Sequence, residues 1–194
     1  MEIQTKNGVS RIAGETNALL NPFTILEGIG VTGGRTVADI GCGGVGFFVF
    51  PAAKLVGDNG TLYAVDILKE NLNAIRSRAK QEGANNIRLI WSNVEMIGGT
   101  DIQENSVDIA LVVNTLFQTN KMKDVLKEMY RIVKPGGRLA VIDWKSLEMP
   151  FGPPLFDKTN KEKIRHYALL AGFADGGDFE AGKYHFGLNL LKRK

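Results

Sequence analysis

The 194-residue sequence predicts an α/β fold, in which a seven-stranded, mostly parallel sheet carries helices on both faces. From Thr36 onward, short apolar runs alternate with helical patterns, as in parallel strands that are joined by crossover helices. After Gly172, two further strand patterns are separated only by a short turn at Ala181-Gly182, which predicts a C-terminal antiparallel hairpin. The length fits a single domain, residues 1–194, with its own hydrophobic core.

The individual elements are predicted in order along the chain. Asn21-Pro22 begins a helix, because Asn is a favoured N-cap and Pro is favoured at the first helical position. We expect parallel strands at 36–40, 61–66, 87–91, 107–113 and 138–143, and helices near 47–56, 69–82, 121–134 and 160–171. Lys134-Pro135-Gly136-Gly137 is expected to end the helix near 121–134 with a turn, and the hairpin strands are expected at 173–179 and 184–191. Residues 1–20 are weakly patterned and are expected to form a mobile arm.

Composition excludes several classes of protein. The 24 Lys and Arg against 21 Asp and Glu give a net charge of +3, which is too small to predict a nucleic-acid partner. Cys42 is the only cysteine, so no intramolecular disulfide, Cys-rich site or other metal centre is expected. No apolar run approaches the ~18 residues of a membrane span, and Met1–Arg11 lacks the apolar segment of a secretory signal, which predicts a cytoplasmic protein. Lys192-Arg193-Lys194 is expected to be a solvated tail.

A glycine-rich loop follows the first predicted strand. Thr36–Ile40 leads into Gly41-Cys42-Gly43-Gly44-Val45-Gly46, and glycine permits both a tight turn and close approach of a ligand to the backbone. Asp66 ends the second strand about 20 residues beyond the loop, where a carboxylate accepts hydrogen bonds from ribose hydroxyls. Loop, helix and carboxylate together predict a cofactor that contains a nucleoside.

Two cofactors are compatible with this loop. Gly41–Gly46 contains the Gly-x-Gly-x-x-Gly fingerprint of dinucleotide binding, and Tyr130 and Lys134 have the Tyr-x-x-x-Lys spacing of short-chain dehydrogenases. An NAD-dependent oxidoreductase is therefore one hypothesis. Asp39 argues against it, since a carboxylate two residues before the loop would repel a pyrophosphate. The same carboxylate would attract the ammonium and sulfonium of S-adenosylmethionine.

At this point a family resemblance is visible. Val37–Gly43 resembles motif I of the class I S-adenosylmethionine-dependent methyltransferases, which have a Rossmann-like sheet, and Val65-Asp66-Ile67 resembles their second motif. Leu126–Asp143 resembles their strand-five region. The resemblance covers roughly residues 22–191 and is closest to the small-molecule, quinone-biosynthesis branch. It departs in the loop, where one residue around Gly44-Val45 is extra to the usual Gly-x-Gly-x-Gly.

The resemblance implies S-adenosylmethionine as the cofactor and a role for particular residues. Asp39 and the glycine loop would hold the methionine moiety and Asp66 the ribose, while Asn93 stands where relatives contact the adenine amino group. The cofactor-binding residues expected on this basis are Asp39, Gly41, Cys42, Gly43, Gly44, Gly46, Asp66, Ile67, Asn93, Val94 and Asn114.

The acceptor is expected at the carboxyl ends of the parallel strands, where ligands bind in such sheets. Tyr184 and His185, early in the last strand, are the candidate catalytic residues at that edge. Adjacent strand residues face opposite sides, so one of the two at most is expected to reach a substrate, and His185 has an alternative as a structural histidine. His166 is expected on the surface, and residues 148–156 are expected to form a wall of the pocket.

A small-molecule acceptor is favoured over RNA or protein. The fourth strand continues as Asn114-Thr115-Leu116-Phe117, which lacks the Asn/Asp-Pro-Pro-aromatic tetrapeptide of amino-group DNA and RNA methylases. An RNA or protein methyltransferase on the same fold remains the alternative. The acceptor atom and the oligomeric state stay open at this stage.

Overall fold

The computed structural model describes residues 20–147, 152–154 and 160–194, so the predicted arm and most of the predicted pocket wall lie outside the described residues. The strands are β1 Thr36–Ile40, β2 Thr61–Asp66, β3 Ile87–Trp91, β4 Val107–Val113, β5 Val133–Trp144, β6 Ala174–Glu180 and β7 His185–Leu191. The helices are α1 Pro22–Gly28, α2 Val49–Val56, α3 Lys69–Glu82, α4 Met122–Ile132 and α5 Lys161–Ala171, and a 3₁₀ turn at Leu116–Gln118 follows β4.

The predicted fold class is confirmed. The strands form one seven-stranded sheet in the order β3-β2-β1-β4-β5-β7-β6. Pairing is parallel from β3 through to β5, whereas β7 is antiparallel to both β5 and β6. The carboxyl ends of β1 to β5 therefore share one edge with the start of β7, and this edge is called the carboxyl edge below.

Both faces of the sheet are covered, as the alternation of side chains requires. On one face, Val37 and Leu111 belong to a core that includes residues of α1, α2 and α3. On the other face, Ala38 and Val112 belong to a second core built with α4 and α5. The buried residues of α4 recur at helical spacing: Val125, Leu126, Met129 and Ile132.

The fifth strand begins earlier than predicted. Val133 already pairs with Val107, and a register shift then brings Arg138 opposite Ile109. The residues between them were predicted as a turn and instead interrupt the strand as an irregularity. α4 ends at Ile132 because Pro135 disfavours helical geometry in the residue before it, and the extended chain is then free to pair.

The C-terminal tail is not fully solvated. The N–H of Gly136 donates to the Lys192 carbonyl at 2.7 Å and the N–H of Lys192 to that of Gly137 at 3.0 Å, which folds the tail onto β5. The Lys192 ammonium is buried and donates to Asn105 Oδ1 at 2.7 Å and to the Tyr130 carbonyl at 2.6 Å. The expectation of a solvated tail is therefore wrong for Lys192.

The edge strand β6 is irregular. Its register against β7 shifts between Asp175 and Asp178, and Gly177 there has φ of +87°. Arg165 of α5 forms ion pairs with both carboxylates, at 2.5 Å for Asp175. Among the residues that the structure describes, no helix is long and apolar enough to cross a membrane.

A buried carboxylate anchors the long connection between β3 and β4. Glu128 of α4 is fully buried and accepts hydrogen bonds from the N–H groups of Gly98, at 2.6 Å, and Thr100, at 3.1 Å. Arg131 forms an ion pair with the same carboxylate at 2.7 Å. Burial alone raises the pKa of Glu128, but the bonds from Arg131, Thr100 and Gly98 outweigh it and lower the pKa to about 2.

Glu128→Ala should lower the free energy of unfolding by about 3 kcal/mol at pH 7, because it leaves buried N–H groups and Arg131 without their acceptor. Urea unfolding measures this change. Glu82→Ala is the control, since Glu82 pairs with Arg78 at an exposed position and should change stability by less than about 0.5 kcal/mol. Equal losses in the two variants would contradict the anchoring role.

The contribution of Glu128 should also depend on pH with a definite sign. Its pKa is lowered from 4.5 to about 2 on folding, so the stabilisation is complete above about pH 4.5 and is lost as the pH falls toward 2. The difference in stability between wild type and Glu128→Ala should therefore shrink across that window. A difference that stays constant from pH 5 to pH 2 would argue against an ionised Glu128.

Candidate functional site

The glycine loop after β1 is built from left-handed backbone. Gly41, Gly43 and Gly46 have φ of +72°, +63° and +63°, a region that side chains with a Cβ rarely adopt. A Cβ on Gly46 would lie 2.5 Å from Ile75 Cδ1, so this glycine is also required by packing. Val45, at the position where the sequence predicted an extra residue, is 74% exposed at the surface.

A cleft of about 380 Å³ lies at the carboxyl edge, within the size range of small-molecule sites. It is lined by these predicted cofactor residues: Gly41, Gly43, Asp66, Ile67, Asn93 and Val94. Other predicted residues do not line it, namely Asp39, Cys42, Gly44, Gly46 and Asn114. A larger hollow of about 480 Å³ follows the C-terminal ends of α2 and α3, and therefore lies at the opposite edge of the sheet.

Asp66 fixes the floor of the cleft. One carboxylate oxygen accepts the N–H of Gly43 and the other the N–H of Leu68, each at 2.9 Å. The side chain is thereby held in one orientation, and each oxygen keeps a further lone pair for a ligand. A Cβ added to Gly43 would meet no heavy atom within 4 Å, so there is open space beside this residue, which lines the cleft.

Asp39 is a buried carboxylate that makes no hydrogen bond or ion pair with any residue of the described part of the chain. It lies two residues before Gly41, at the end of β1. Burial and, second, the charge of Asp66 raise the pKa of Asp39 from 3.8 to about 7. Two neighbouring carboxylates without a cation favour a positively charged ligand.

Cys42 contributes backbone rather than thiol chemistry. Its N–H donates to the Val65 carbonyl at 3.1 Å, which ties the loop to β2. Burial, followed by the charges of Asp39 and Asp66, raises the pKa of the thiol. The reactive thiolate is therefore disfavoured at this position.

The residues after β3 form the far wall of the cleft. Asn93 Oδ1 accepts the N–H of Glu95 at 3.0 Å, so one of its lone pairs is already used and one remains. Glu95 accepts the hydroxyl of Thr119 at 2.5 Å, which links this wall to the loop after β4. Glu95 and Thr119 both line the cleft and were not predicted as site residues, because 24 residues of sequence without a shared pattern separate them.

Asn114 is strained and incompletely bonded. It has φ of +49°, and its Oδ1 is buried with no hydrogen-bond partner in the described part of the chain. Its main chain is fixed, since its N–H donates to the Ile142 carbonyl at 2.9 Å and its own carbonyl accepts Gln118 Nε2 at 2.6 Å. Strained positions of this kind cluster at ligand sites.

Thr115 and Asp143 lie at the ends of the fourth and fifth predicted strands, where residues 114–118 and 143–145 were expected to gather at the ligand edge. A Cβ on Gly41 would lie 2.5 Å from Thr115 Oγ1, so the loop after β4 packs directly on the glycine loop. Asp143 is fully buried at the end of β5 and accepts the N–H of Phe117 at 3.2 Å and of Trp144 at 2.8 Å. Burial raises the pKa of Asp143 to about 6 despite these bonds. A carboxylate at the end of an apolar strand, such as Asp143, can be recognised in the sequence as a candidate site residue.

The two candidate catalytic residues lie at the carboxyl edge but outside the cleft. His185 begins β7 and pairs with Trp144 at the end of β5. It lines a separate cavity of about 230 Å³, and Tyr184 beside it is half-buried. The other histidine, His166, is exposed on α5.

The pair expected of a short-chain dehydrogenase is used for structure. Lys134 forms an ion pair with Asp108 at 2.9 Å, at the amino end of β4. Tyr130 packs edge-on against Phe173, with ring centroids 5.1 Å apart, and its carbonyl binds Lys192. Neither residue lines the cleft at the carboxyl edge.

The chain belongs to the methyltransferase domain family, whose model matches residues 32–175. Together with the fold and the cleft, this membership makes it a class I methyltransferase fold with S-adenosylmethionine as the cofactor, close to the quinone-biosynthesis branch. The sequence resemblance is thereby confirmed.

Particular relatives can be named. The chain is 33% identical over 134 residues to the ubiquinone/menaquinone biosynthesis C-methyltransferase UbiE of Azotobacter vinelandii, covering 69% of this chain and 51% of that one. It is 30% identical over 174 residues to UbiE of Ectopseudomonas mendocina, covering 89% and 64%. The chain thus spans less than two thirds of these curated relatives.

Solved structures give the same picture of the fold. A SAM dependent methyltransferase from Aquifex aeolicus superimposes with a TM-score of 0.85 at 29% identity, over 96% of this chain and 100% of that one. The phosphoethanolamine N-methyltransferase 2 of Haemonchus contortus, in complex with S-adenosyl-L-methionine, superimposes with a TM-score of 0.72. Its 15% identity, over 89% of this chain and 52% of that one, shows the shared fold alone.

Asp39→Asn should make the ligand-free protein more stable at pH 8. The raised pKa means that the folded state keeps a proton that the unfolded state loses between pH 3.8 and about 7, so stability falls as the pH rises through that window. The substitution removes this loss. Urea unfolding should show the gain at pH 8 and none near pH 3.5, and an equal effect at both pH values would contradict the raised pKa.

Proposed function

We propose that this protein transfers a methyl group from S-adenosylmethionine to a small-molecule acceptor. The observation that carries the proposal is the buried Asp39 carboxylate, coupled to Asp66 and without a cationic partner among the described residues. S-adenosylmethionine bears an ammonium and a sulfonium, whereas a nicotinamide dinucleotide bears a pyrophosphate that these carboxylates would repel. The residues present therefore fit the first cofactor.

Polar groups along β1, β2 and β4 would hold the charged part of the cofactor. Asp39, which is buried beside Gly41 and does not line the cleft, would attract the ammonium through its charge, and the free lone pairs of Asp66 would accept the ribose hydroxyls. The left-handed backbone at Gly41, Gly43 and Gly46 would turn the loop that also contains Cys42 and Gly44, and would bring its main chain close to the methionine moiety. The unpaired Oδ1 of Asn114 offers an acceptor at the end of β4.

Residues after β2 and β3 would hold the adenine. Ile67 and Val94 line the cleft and supply apolar contacts for a flat ring, while Ile67 remains 56% exposed at the surface. The remaining lone pair of Asn93 Oδ1 suits an amino group.

The chain has to position an acceptor against the cofactor. S-adenosylmethionine supplies a methyl group activated by the positive charge on its sulfur. Alignment of the two reactants provides most of the acceleration in such a transfer, so no general base need be present for every acceptor. Asp143 supports this positioning, because it holds the turn Leu116–Gln118 at the end of the cleft that faces β5.

We further propose that the acceptor is a flat ring of the quinone type, methylated at carbon. The names of the curated relatives describe C-methyltransferases of ubiquinone and menaquinone biosynthesis. In this chain, buried rings gather at the part of the carboxyl edge beyond β4: Trp144, His185 and Phe186. Rings of this kind favour an apolar, planar acceptor.

Thermal stability in the presence of ligands separates the cofactor classes. S-adenosylmethionine and S-adenosylhomocysteine should each raise the Tm, and the rise should increase with ligand concentration, because a ligand that binds only the folded state stabilises it. NAD and NADP should not. Stabilisation by NAD without any by S-adenosylhomocysteine would overturn the proposed function.

Asp66→Ala should weaken S-adenosylhomocysteine binding by roughly 1–3 kcal/mol, as expected for loss of a hydrogen-bonded carboxylate. Titration calorimetry measures this change. Asp58→Ala is the control, because Asp58 lines the larger hollow at the opposite edge of the sheet. A loss of affinity in the Asp58 variant and not in the Asp66 variant would place the cofactor in that hollow instead.

A further inference from the structure

His185 occupies a position that combines burial with proximity to the acceptor side. Its side chain is 1% exposed at the first residue of β7. Its ring lies 4.1 Å from that of Trp144, measured between centroids, at an interplanar angle of 38°. Trp144 ends β5, so the pair lies at the carboxyl edge, where ligands bind in parallel sheets.

Both ring nitrogens of His185 are buried and have no hydrogen-bond partner among the residues that the structure describes. A neutral imidazole carries one N–H donor and one acceptor nitrogen, and burying either without a partner costs stability. Burial and, second, the charge of Lys145 lower the pKa of His185 from 6.5 to about 4. The ring is therefore neutral near pH 7 and keeps both functions.

The position of a second unpaired group supports a ligand here. Asn114 Oδ1 is also buried without a partner, at the end of β4, and only β5 separates β4 from β7. With a strand spacing of about 4.8 Å, the two backbones lie about 10 Å apart along the carboxyl edge. Two unsatisfied polar groups thus flank the stretch of edge between the cleft and the hairpin.

A cavity beside His185 offers room for a small molecule. It measures about 230 Å³ and has a mixed lining, with the rings of Phe179, His185 and Phe186 beside four charged residues, Lys145, Lys161, Asp178 and Glu180. The Lys145 ammonium is occupied by the carbonyls of Gly182 and Lys183, each at 3.2 Å. Lys161 and Asp178 bind each other at 2.6 Å and Glu180 is exposed to solvent, so the buried, unpaired hydrogen-bonding groups among the described residues of this cavity are those of the imidazole.

We propose that His185 hydrogen-bonds a hydroxyl group of the methyl acceptor. A hydroxyl can pair with either ring nitrogen of a neutral imidazole, because it can accept from the N–H or donate to the other nitrogen, whereas an anion can only accept and an ammonium can only donate. The assignment rests on the proposed function and adds a residue that determines acceptor binding. Tyr184 does not share this role, because it is half-buried and already has an interaction partner.

The first test measures thermal stability. A residue that is kept for ligand binding lowers the stability of the ligand-free protein, whereas a residue that supports the fold raises it. His185→Phe keeps the ring shape and removes both unpaired nitrogens. We expect its Tm to rise by about 2–6 °C relative to wild type. His166→Phe, at an exposed position on α5, should leave the Tm unchanged. A lower Tm for His185→Phe would overturn the proposal by showing that the imidazole supports the fold.

The second test uses binding. Hydroquinone and 1,4-dihydroxynaphthalene serve as probes, with S-adenosylhomocysteine present at saturation. In the His166→Phe protein His185 is the only histidine, so its imidazole ¹⁵N signals are identified directly. We expect the probes to shift these signals, and His185→Phe to weaken probe binding about tenfold while S-adenosylhomocysteine affinity changes less than twofold.

The outcomes separate this proposal from the function on which it rests. Failure of S-adenosylhomocysteine to bind the wild-type protein would overturn the proposed function itself. If S-adenosylhomocysteine binds normally, the proposed function is retained, and the probe experiments then test only the role of His185. Absence of binding by both probes, or binding that leaves both ring nitrogens unshifted, would overturn the role of His185.

Discussion

Two backbone N–H groups, those of Gly43 and Leu68, share the Asp66 carboxylate as their acceptor. One belongs to the turn that leaves β1 and the other to the turn that leaves β2, so one side chain fixes both turns relative to each other. Because these bonds hold the glycine loop in place, it cannot move into the cleft, and the space beside Gly43 stays open. The negative charge that stabilises the loop also contributes to the raised pKa of Asp39. Loop geometry and ligand preference therefore have a common origin.

Sequence reading predicted the parts of the molecule that depend on local pattern. β1 to β4 begin and end at the predicted residues, because apolar runs bounded by glycine and polar residues determine them. The early start of β5 and the burial of Lys192 depend on pairing between residues far apart in the chain, which no local pattern encodes. Gly41 and Asp66 were predicted for the cleft because their spacing follows from its chemistry. Thr119 was not, since its contact with Glu95 exists only after folding.

The carboxyl edge has two parts with different hydrogen-bonding character. After β2 and β3, the cleft-lining side chains of Asp66 and Asn93 are bonded to the main chain and form a rigid frame. Farther along the edge, Asn114 after β4 and His185 of β7 keep buried polar atoms that have no partner among the described residues. A rigid frame suits a ligand common to a whole family, whereas unpaired groups leave specificity to be determined by the molecule that satisfies them.

The irregular strand β6 lies at the outer edge of the sheet, where unpaired N–H and C=O groups form a template for another strand. The shift between Asp175 and Asp178 breaks the regular spacing of those groups, and the carboxylates paired with Arg165 place charge along the same stretch. An approaching strand would lose hydrogen bonds at the irregularity and would have to desolvate charges beside it. The first strand of the hairpin, β6, thus protects the chain against edge-to-edge aggregation at this side of the sheet.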